Sequence, residues 1–551
     1  MAIYKLAVII KNQSKDSDFM LHKQTPPPQF NDKEYDSYVD AELWDLPSAK
    51  LSLLDQTVIG SLSADSIDLS QFDVNSALKE VLEQVGYKIG EKWNWDFRKY
   101  VEEASFGPDP RVNTVFVVGE MAPEDQSVSD CCMWMSFESC MKWLLDAEKG
   151  SGRIGPLAAV GYLNDLMQPS RWKRPPTLQY QEYPPGVVIA PMRSRTLRPF
   201  STTNLVVFAP NYDVVGDCGS IEYIANGDAL IVDPGCCSKY HKELEDVITT
   251  LPRKLIVFVT HHHHDHVDGL SVVQKCNPDA VLIAHENTMR RIGKGDWSRG
   301  YTPVSGGEVI RIGGQQLNVI SAPGHTDGHL GLHDPKTQSL IVGDHCVGQG
   351  SAVLDPRAGG NMSDYFSTTY RFLDIAPNAL IPMHGRLNLW PKHMLCGYLK
   401  NRRHREDLIL KAIEGGAQTL FDITSKAYAD VDKTLWIPAS SNVKLHVEHL
   451  AQQNKLPKDF FIETLESSYA EFLMQKYCRS CGACFYLQWL WSYLGPKKVV
   501  GVTLGGTAAA TTLYWESFRE AEDGKINVDI LIATGLKITA TEQLMRLSSL
   551  L

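Results

Sequence analysis

Between residues 193 and about 390 the chain alternates short apolar runs with polar turns. "NLVVFAP", "DALIVDPG", "KLIVFVT", "AVLIAH", "LNVISAPG", "SLIVGD" and "ALIPMH" follow one another in that order. Runs rich in Val, Ile and Leu, bounded by Gly, Pro, Asp or Asn, predict strands. Ahead of them, residues 1–190 mix two patterns. "IYKLAVII" and "NTVFVVGEM" predict strands, while "DVNSALKEVLEQVGY" places Val74, Leu78, Val81, Leu82 and Val85 at helical spacing. "KRPPTLQYQEYPPGV" (173–187) has four prolines and predicts an extended linker. Residues 390–460 read as helical with one or two short strands. Beyond about 460 the composition shifts to an aromatic "CFYLQWLWSYL" and then to Gly/Thr/Ala-rich sequence. No repeat with a period of 20–50 residues is evident. The expected division is 1–190, 193–395, 396–460 and 461–551.

A length of 551 residues suits three or four domains. A hydrophobic content of 43% and a charged content of 22% are ordinary for a globular protein. The core can be large enough to need no disulfide or metal staple. The net charge of −11 argues against a surface built wholesale to coat nucleic acid. Three short basic stretches remain, "RWKR" (171–174), "MRRIGKG" (289–295) and "KNRRHRE" (400–406), each readable as a solvated face. Twelve cysteines lie without even spacing, and "MAIYKLAVII" has neither a secretory nor a transit-peptide pattern. The expectation is reduced cysteines and a cytoplasmic location, with an organelle as the alternative.

Chemistry concentrates in "FVTHHHHDHVDG" (258–269), which holds five of the 17 histidines. His261 and His263 are two apart, so on an extended segment they point the same way. Asp265 and His266 follow where the strand should end. This spacing suits two metals side by side; a closed structural zinc site would favour cysteine ligands, and no cysteine pair flanks the cluster. Further donors come at the ends of later apolar runs: His325 after "LNVISAPG", Asp344 after "SLIVG", His384 after "ALIPM". Ends of neighbouring strands converge on one edge of a sheet, where such sites are built.

In order, T-H-x-H-x-D-H, P-G-H-T-x-G-H, G-D and M-H-G resemble the motifs of the metallo-β-lactamase fold superfamily, over roughly 193–395. The resemblance implies an α/β fold, an αββα sandwich. It implies that His261, His263 and His325 hold a first metal, that Asp265, His266 and His384 hold a second, and that Asp344 bridges them. His262 and His264 fall on variable positions. "LIVDPG" resembles the first motif, whose aspartate, here Asp233, supports the ligands from behind. Imidazole and carboxylate donors suit two Zn²⁺, with Mn²⁺ or Fe²⁺ as alternatives. Two metals ~3.5–4 Å apart share a water and acidify it, so a bridging hydroxide is the expected nucleophile. Asp265 can hydrogen-bond and steer it. His329 could contact the leaving side of the substrate or support the site from behind.

The superfamily hosts several hydrolases, so the fold leaves the substrate open. The commonest β-lactamases carry cysteine where Asp344 stands; Asp344 with His266 instead resembles the glyoxalase II and nuclease branches. Only forty positions separate Asp344 from His384, too few for the β-CASP nuclease insertion. The sequence after His384 is similar to the winged-helix-like tail of the β-lactamase-like protein 2 group, and "GDHCVGQGSAVLD" resembles that group's motif. Its members are single-strand RNA endonucleases, so the resemblance implies an endoribonuclease. The basic cluster Arg402, Arg403 and Arg405 then becomes the candidate RNA contact. The alternative is a hydrolase of a small thioester, ester or lactam. A third reading, a binding protein whose metal domain only stabilises it, stays open. The expected partner is RNA or a small molecule, not a membrane; oligomeric state is left open.

A second resemblance lies in the N-terminal segment. "ELWDLPSAKL" (42–51) and "LKEVLEQVGY" (78–87) resemble the two halves of a Nudix motif. Lys79 replaces its arginine, Gln84 replaces a metal-binding glutamate beside the retained Glu80 and Glu83, and Ser48 and Ala49 replace both glycines. The upstream Gly and Glu positions fall on Asp65 and Gln71. One fewer carboxylate weakens Mg²⁺ binding. The expectation is a degenerate, catalytically inactive Nudix-like α+β domain. In the tail, "CRSCGAC" (478–484) lacks an obvious fourth ligand and reads as free thiols. "VVGVTLGGTAAATTLYW" (499–515) is seventeen uncharged residues, the lower limit of a span, but too rich in Gly and Thr for a convincing anchor.

Overall fold

A computed structural model describes residues 2–55, 67–87, 93–121, 130–148, 150, 152–211, 222–462 and 465, together with four short strands between 502 and 539. The apolar runs pair into two facing sheets. The first has seven strands, in the order Tyr301–Pro303, Val281–Ala284, Leu255–Phe258, Ala229–Val232, Thr202–Phe208, Val187–Arg193 and Gln181–Glu182. The second has six: Ala225–Gly227, Val309–Ile312, Gln315–Ser321, Leu330–Asp334, Ser339–Gly343 and Ala379–Pro382.

Strand alternation explains why both faces of each sheet are apolar. Val206, Leu230, Ile256 and Phe258 point inward and meet Leu317, Val319, Leu332 and Ile341 of the other sheet. Their neighbours Val207, Ile231 and Val257 point outward onto Leu244 and Val247 of helix His241–Thr250 and Leu270 and Val273 of helix Leu270–Cys276. Beyond the second sheet, Leu340, Val342 and Leu380 pack on Tyr365, Phe372, Leu395 and Leu399. The result is the expected αββα sandwich.

The proline-rich stretch read as a linker is folded. Gln181–Glu182 pairs with Val188 and Ile189 as the edge of the first sheet. Tyr183 is buried and donates its hydroxyl to the Ile154 carbonyl at 2.7 Å, and Arg174 pairs with Glu182. Proline is tolerated at a sheet edge, where a missing N–H removes no ladder bond. Strand Val187–Arg193 accordingly straddles the division expected at 190–193.

The N-terminal part is an eight-stranded sheet built on the parallel pair Ile3–Asn12 and Val112–Met121. Helix Val74–Gln84 covers one face with Val74, Ala77, Leu78, Val81 and Leu82. Helix Phe137–Leu145 covers the other with Cys140 and Leu144. Gln84 donates to the Ser48 carbonyl at 3.4 Å and Glu83 faces Lys79 at 3.9 Å, so both make intramolecular contacts. Asp65 lies outside the described residues.

Two arginines tie this sheet to the sandwich. Arg153 is buried, donates to the carbonyls of Ala41, Asn378 and Leu389, and lies 5.1 Å from the Trp390 ring centroid. Arg386, two residues past His384, forms a two-pronged pair with Glu103. Removing a buried donor leaves its acceptors dry and unpaired. Arg153→Ala should therefore lower unfolding stability by about 2–4 kcal/mol, read in a urea melt. An unchanged midpoint would show that these carbonyls find other partners.

Helices Pro391–Glu414, Leu420–Ala427 and Trp436–Gln452 follow. The short strands expected between 390 and 460 do not form. The buried apolar positions there, Ala439, Val443, Val447 and Leu450, recur at helical spacing. Residues Met1–Ile462 make one compact unit and Glu463–Leu551 a second. In the second, Val502–Leu504, Thr511–Tyr514, Asp529–Ile532 and Leu536–Thr539 form an antiparallel sheet. The described parts of 499–515 are thus strands, and no helix among the described residues is long and apolar enough to cross a membrane. "CRSCGAC" lies outside the described residues.

Candidate metal centre

Each expected ligand sits just past the C-terminal end of a strand. Five residues after strand Leu255–Phe258, His263 is extended (φ −62°, ψ 145°) and leads into the short helix His264–Val267, which carries Asp265 and His266. Asp344 follows Ser339–Gly343 and His384 follows Ala379–Pro382. Two turns demand glycine. Gly324 has φ +131°, and a Cβ there would lie 2.5 Å from the Tyr365 backbone; Gly343 has φ +56°, and a Cβ would lie 2.3 Å from His329 Nε2.

The side chains converge as two adjoining clusters. His261 Nε2 and His325 Nε2 lie 2.9 and 3.1 Å from His263 Nδ1. His266, Asp265 and His384 gather beside them, with Asp265 Oδ2 3.8 Å from His266 Nε2 and 3.3 Å from His384 Nε2. Asp344 faces both groups. Its Oδ1 is 3.4 Å from His266 Nε2 and from His384 Nε2, and its Oδ2 is 4.0 Å from His261 Nε2. His266 Nε2 and Asp344 Oδ1 are buried without a hydrogen-bond partner. Buried polar atoms are rarely left so. An imidazole nitrogen and a carboxylate oxygen in that state are donors suited to a divalent metal. The residues present fit the expected group.

The electrostatics agree. Burial, reinforced by neighbouring imidazoles, pushes His261 and His325 well below the usual histidine range, so their lone pairs stay free. Burial acts the same way on His266 and His384, but the carboxylates overturn it. Asp344, Asp265 and Asp233 hold His266 well above its ordinary value, and Asp344 and Asp265 raise His384 to about 10. Burial would raise Asp265 and Asp344; His266 and His384 instead hold both below the usual carboxylate range. The second cluster is a pocket that favours positive charge.

Further contacts fix three of the five rings, those of His263, His266 and His384. Asp233 is fully buried in a left-handed conformation (φ +49°). Its Oδ1 accepts the Thr260 N–H at 2.7 Å, and its Oδ2 accepts the Thr260 hydroxyl at 2.6 Å and faces His266 Nδ1 at 2.9 Å. His384 Nδ1 lies 2.9 Å from the Thr202 carbonyl. Asp355 Oδ2 lies 3.2 Å from His263 Nε2, and the Asp355 N–H donates to the His325 carbonyl at 3.0 Å. Such partners select the ring nitrogen left for a metal. Thr202, Thr260 and Asp355 escaped the sequence reading; only Thr260, inside the T-H-x-H motif, carried a signal.

The structure narrows one expectation and corrects part of another. His329 is 1% exposed, and both its nitrogens are committed: Nδ1 faces the Ala322 carbonyl at 3.0 Å and Nε2 accepts the Asp344 N–H at 3.0 Å. Its ring nitrogens tie the Asp344 backbone to the Ala322 carbonyl; burial pushes it down to about 3, so it stays neutral. The arginine cluster is split: one member lies in the core, and the other two are ion-paired. Arg402 is 1% exposed, donates to the Ala352 carbonyl and lies 4.8 Å from the Tyr365 ring. Arg403 pairs with Glu34, and Arg405 pairs with Asp430 at 2.9 Å beneath Tyr428.

Comparison with known proteins follows the same lines. Residues 212–384 match the metallo-beta-lactamase superfamily, and residues 419–459 match the beta-lactamase associated winged helix domain. The beta-lactamase-like protein 2 homolog of Caenorhabditis elegans is 25% identical over 239 residues, 42% of this chain and 78% of that protein. The hydroxyacylglutathione hydrolase of Serratia proteamaculans (strain 568) is 27% identical over 256 residues, 45% of this chain and 90% of the enzyme. A crystal structure of a metallo-beta-lactamase family protein from Thermus thermophilus overlaps 49% of this chain and 94% of its own, at 17% identity and a TM-score of 0.38. With its ligand motifs, its two facing sheets and these sequence matches, the chain carries a domain of the hydrolytic metallo-beta-lactamase superfamily, followed by a winged helix domain.

Proposed function

We propose that the protein is a dinuclear zinc-dependent endonuclease acting on single-stranded RNA. The observation that carries the hydrolase reading is Asp344, whose carboxylate faces both clusters at once. His261, His263 and His325 would hold one ion; Asp265, His266 and His384 would hold the other; Asp344 would serve both. Bound there, two divalent ions supply an acidified water and a Lewis acid for the phosphoryl oxygen. Asp265, only partly exposed, would hydrogen-bond that water through its carboxylate and steer it. Asp233, Thr202 and Asp355 keep His266, His384 and His263 in the tautomer that leaves the inward nitrogen free. RNA as substrate is supported by the similarity to beta-lactamase-like protein 2 homologues and by the winged helix domain.

The similarity to hydroxyacylglutathione hydrolase favours a second reading, hydrolysis of a small thioester. Zinc-loaded protein offered single-stranded RNA, single-stranded DNA, a glutathione thioester and a chromogenic cephalosporin separates the two. RNA should be cut internally and fastest. Thioester turnover that far outpaces RNA cleavage would replace this proposal with the second reading.

A further inference from the structure

Arg402 is in the core and Arg405 is mostly buried in its pair with Asp430, so exposed cations beside the clusters come from elsewhere in the fold. The hairpin loop 194–201, between strands Val187–Arg193 and Thr202–Phe208, supplies them. "RSRTLRPF" (193–200) places three arginines in six residues. The loop is fastened to the site at four points. Arg193 pairs in register with Thr202, whose carbonyl holds His384. Thr196 Oγ1 lies 3.5 Å from His384 Nε2, the nitrogen that faces Asp265 and Asp344. The Phe200 ring lies 5.7 Å from the His384 ring. Arg195 reaches across to Asp268, two residues past His266, at 2.6 Å.

The exposed groups of this loop have the chemistry of a single-strand track. Arg193, Arg195 and Arg198 are exposed. Asp268 partly neutralises Arg195, although the Arg195 side chain remains 66% exposed. Arg193 donates to Ser201 Oγ, and among the described residues neither it nor Arg198 has an acidic partner. Leu197, 67% exposed, sits between the cations and offers an apolar surface for a base. Guanidinium groups bind phosphate through two parallel hydrogen bonds. Cations interleaved with apolar surface suit a strand whose bases are unpaired.

We infer that loop 194–201 is a phosphate-backbone clamp that lays single-stranded RNA across the second cluster, with the Thr196 hydroxyl beside the scissile phosphate. This rests on the RNA reading above and names the surface that would recognise it. Arg193, Arg195 and Arg198 hold phosphates flanking the one that is cut. The clamp therefore sets binding and salt dependence.

The test compares full-length, zinc-loaded proteins. In the triple variant R193A/R195A/R198A, kcat/KM on a single-stranded oligoribonucleotide should fall at least tenfold. The slope of log kcat/KM against log salt should flatten by about 2, since each phosphate contact on a single strand contributes about 0.7. Lysine at the same three positions should restore most of the slope, which excludes a folding defect. Arg253→Ala with Lys254→Ala removes exposed charge at the opposite, N-terminal end of strand Leu255–Phe258 and should leave the slope unchanged. Equal losses in that control, or an unchanged slope in the triple variant, would overturn the clamp. Wild-type protein that cuts no RNA would instead remove the RNA reading. Direct binding of the same oligonucleotide, wild type against triple variant, decides the clamp in that case too.

Discussion

Asp344→Ala should lower bound metal from about two ions per chain to one or none and reduce turnover by more than about 100-fold, the upper limit for residues that merely support a ligand. The reason is its double duty. Every other donor serves one cluster, whereas Asp344 is the negative charge common to His266, His384 and His261. Without it, Asp265 is, among the described residues, the one carboxylate left facing the inward nitrogens of His266 and His384. The two imidazoles and one carboxylate that remain have lost one of the two negative charges facing that ion, and nothing then joins it to its neighbour. Asp344→Asn keeps the volume and should lose metal almost as fully, because a neutral amide oxygen is the weaker donor. The measurement is elemental analysis of dialysed protein beside turnover. Full metal content in Asp344→Ala would show that the two clusters do not share this group.

The convergence of the seven donor side chains was legible because its signals are short-range. A histidine pair two apart, and donors placed just after apolar strands, need only local geometry to be understood. The sandwich was legible for the same reason, since alternation along each strand supplies both an inner and an outer apolar face. What escaped depends on long-range packing. "KNRRHRE" looks like a basic surface, yet Leu395, Leu399, Arg402, Glu406, Ile409 and Ile413 form one inward stripe of helix Pro391–Glu414. Reading that stripe would have put Arg402 in the core; its stacking on Tyr365 and its carbonyl partner explain why a charge is tolerated there. Asp355 is harder still. It is a lone aspartate after a Gly-rich loop, and only the folded chain brings it to His263. The arginines of loop 194–201 were passed over because the distance from Arg193 to His384 along the sequence hides their contact through Thr202.

Asp233→Asn is the sharper test of how the second cluster is held. The two carboxylate oxygens of Asp233 accept three hydrogen bonds, from the Thr260 N–H, the Thr260 hydroxyl and the His266 Nδ1–H. Asparagine has one carbonyl oxygen and an NH₂ that can only donate. If the oxygen faces Thr260 N–H, the NH₂ points at His266 Nδ1. His266 must then carry its proton on Nε2, the nitrogen that faces Asp344 and Asp265, and that proton blocks a metal. If the amide is reversed, two N–H groups meet at Thr260 in a fully buried place, which costs about 1–3 kcal/mol. Either arrangement penalises the metal-bound state. We expect Asp233→Asn to weaken metal binding by about 10–100-fold, with the loss confined to the ion nearer His266. The variant should also melt at a lower urea concentration than wild type in the metal-free state. A competition titration with a chromophoric chelator reads the affinity directly. Equal weakening of both ions would mean that Asp233 supports the whole strand end and not one ring. Unchanged affinity of both would mean that His266 keeps its tautomer without Asp233, and the role assigned to this buried carboxylate would be lost.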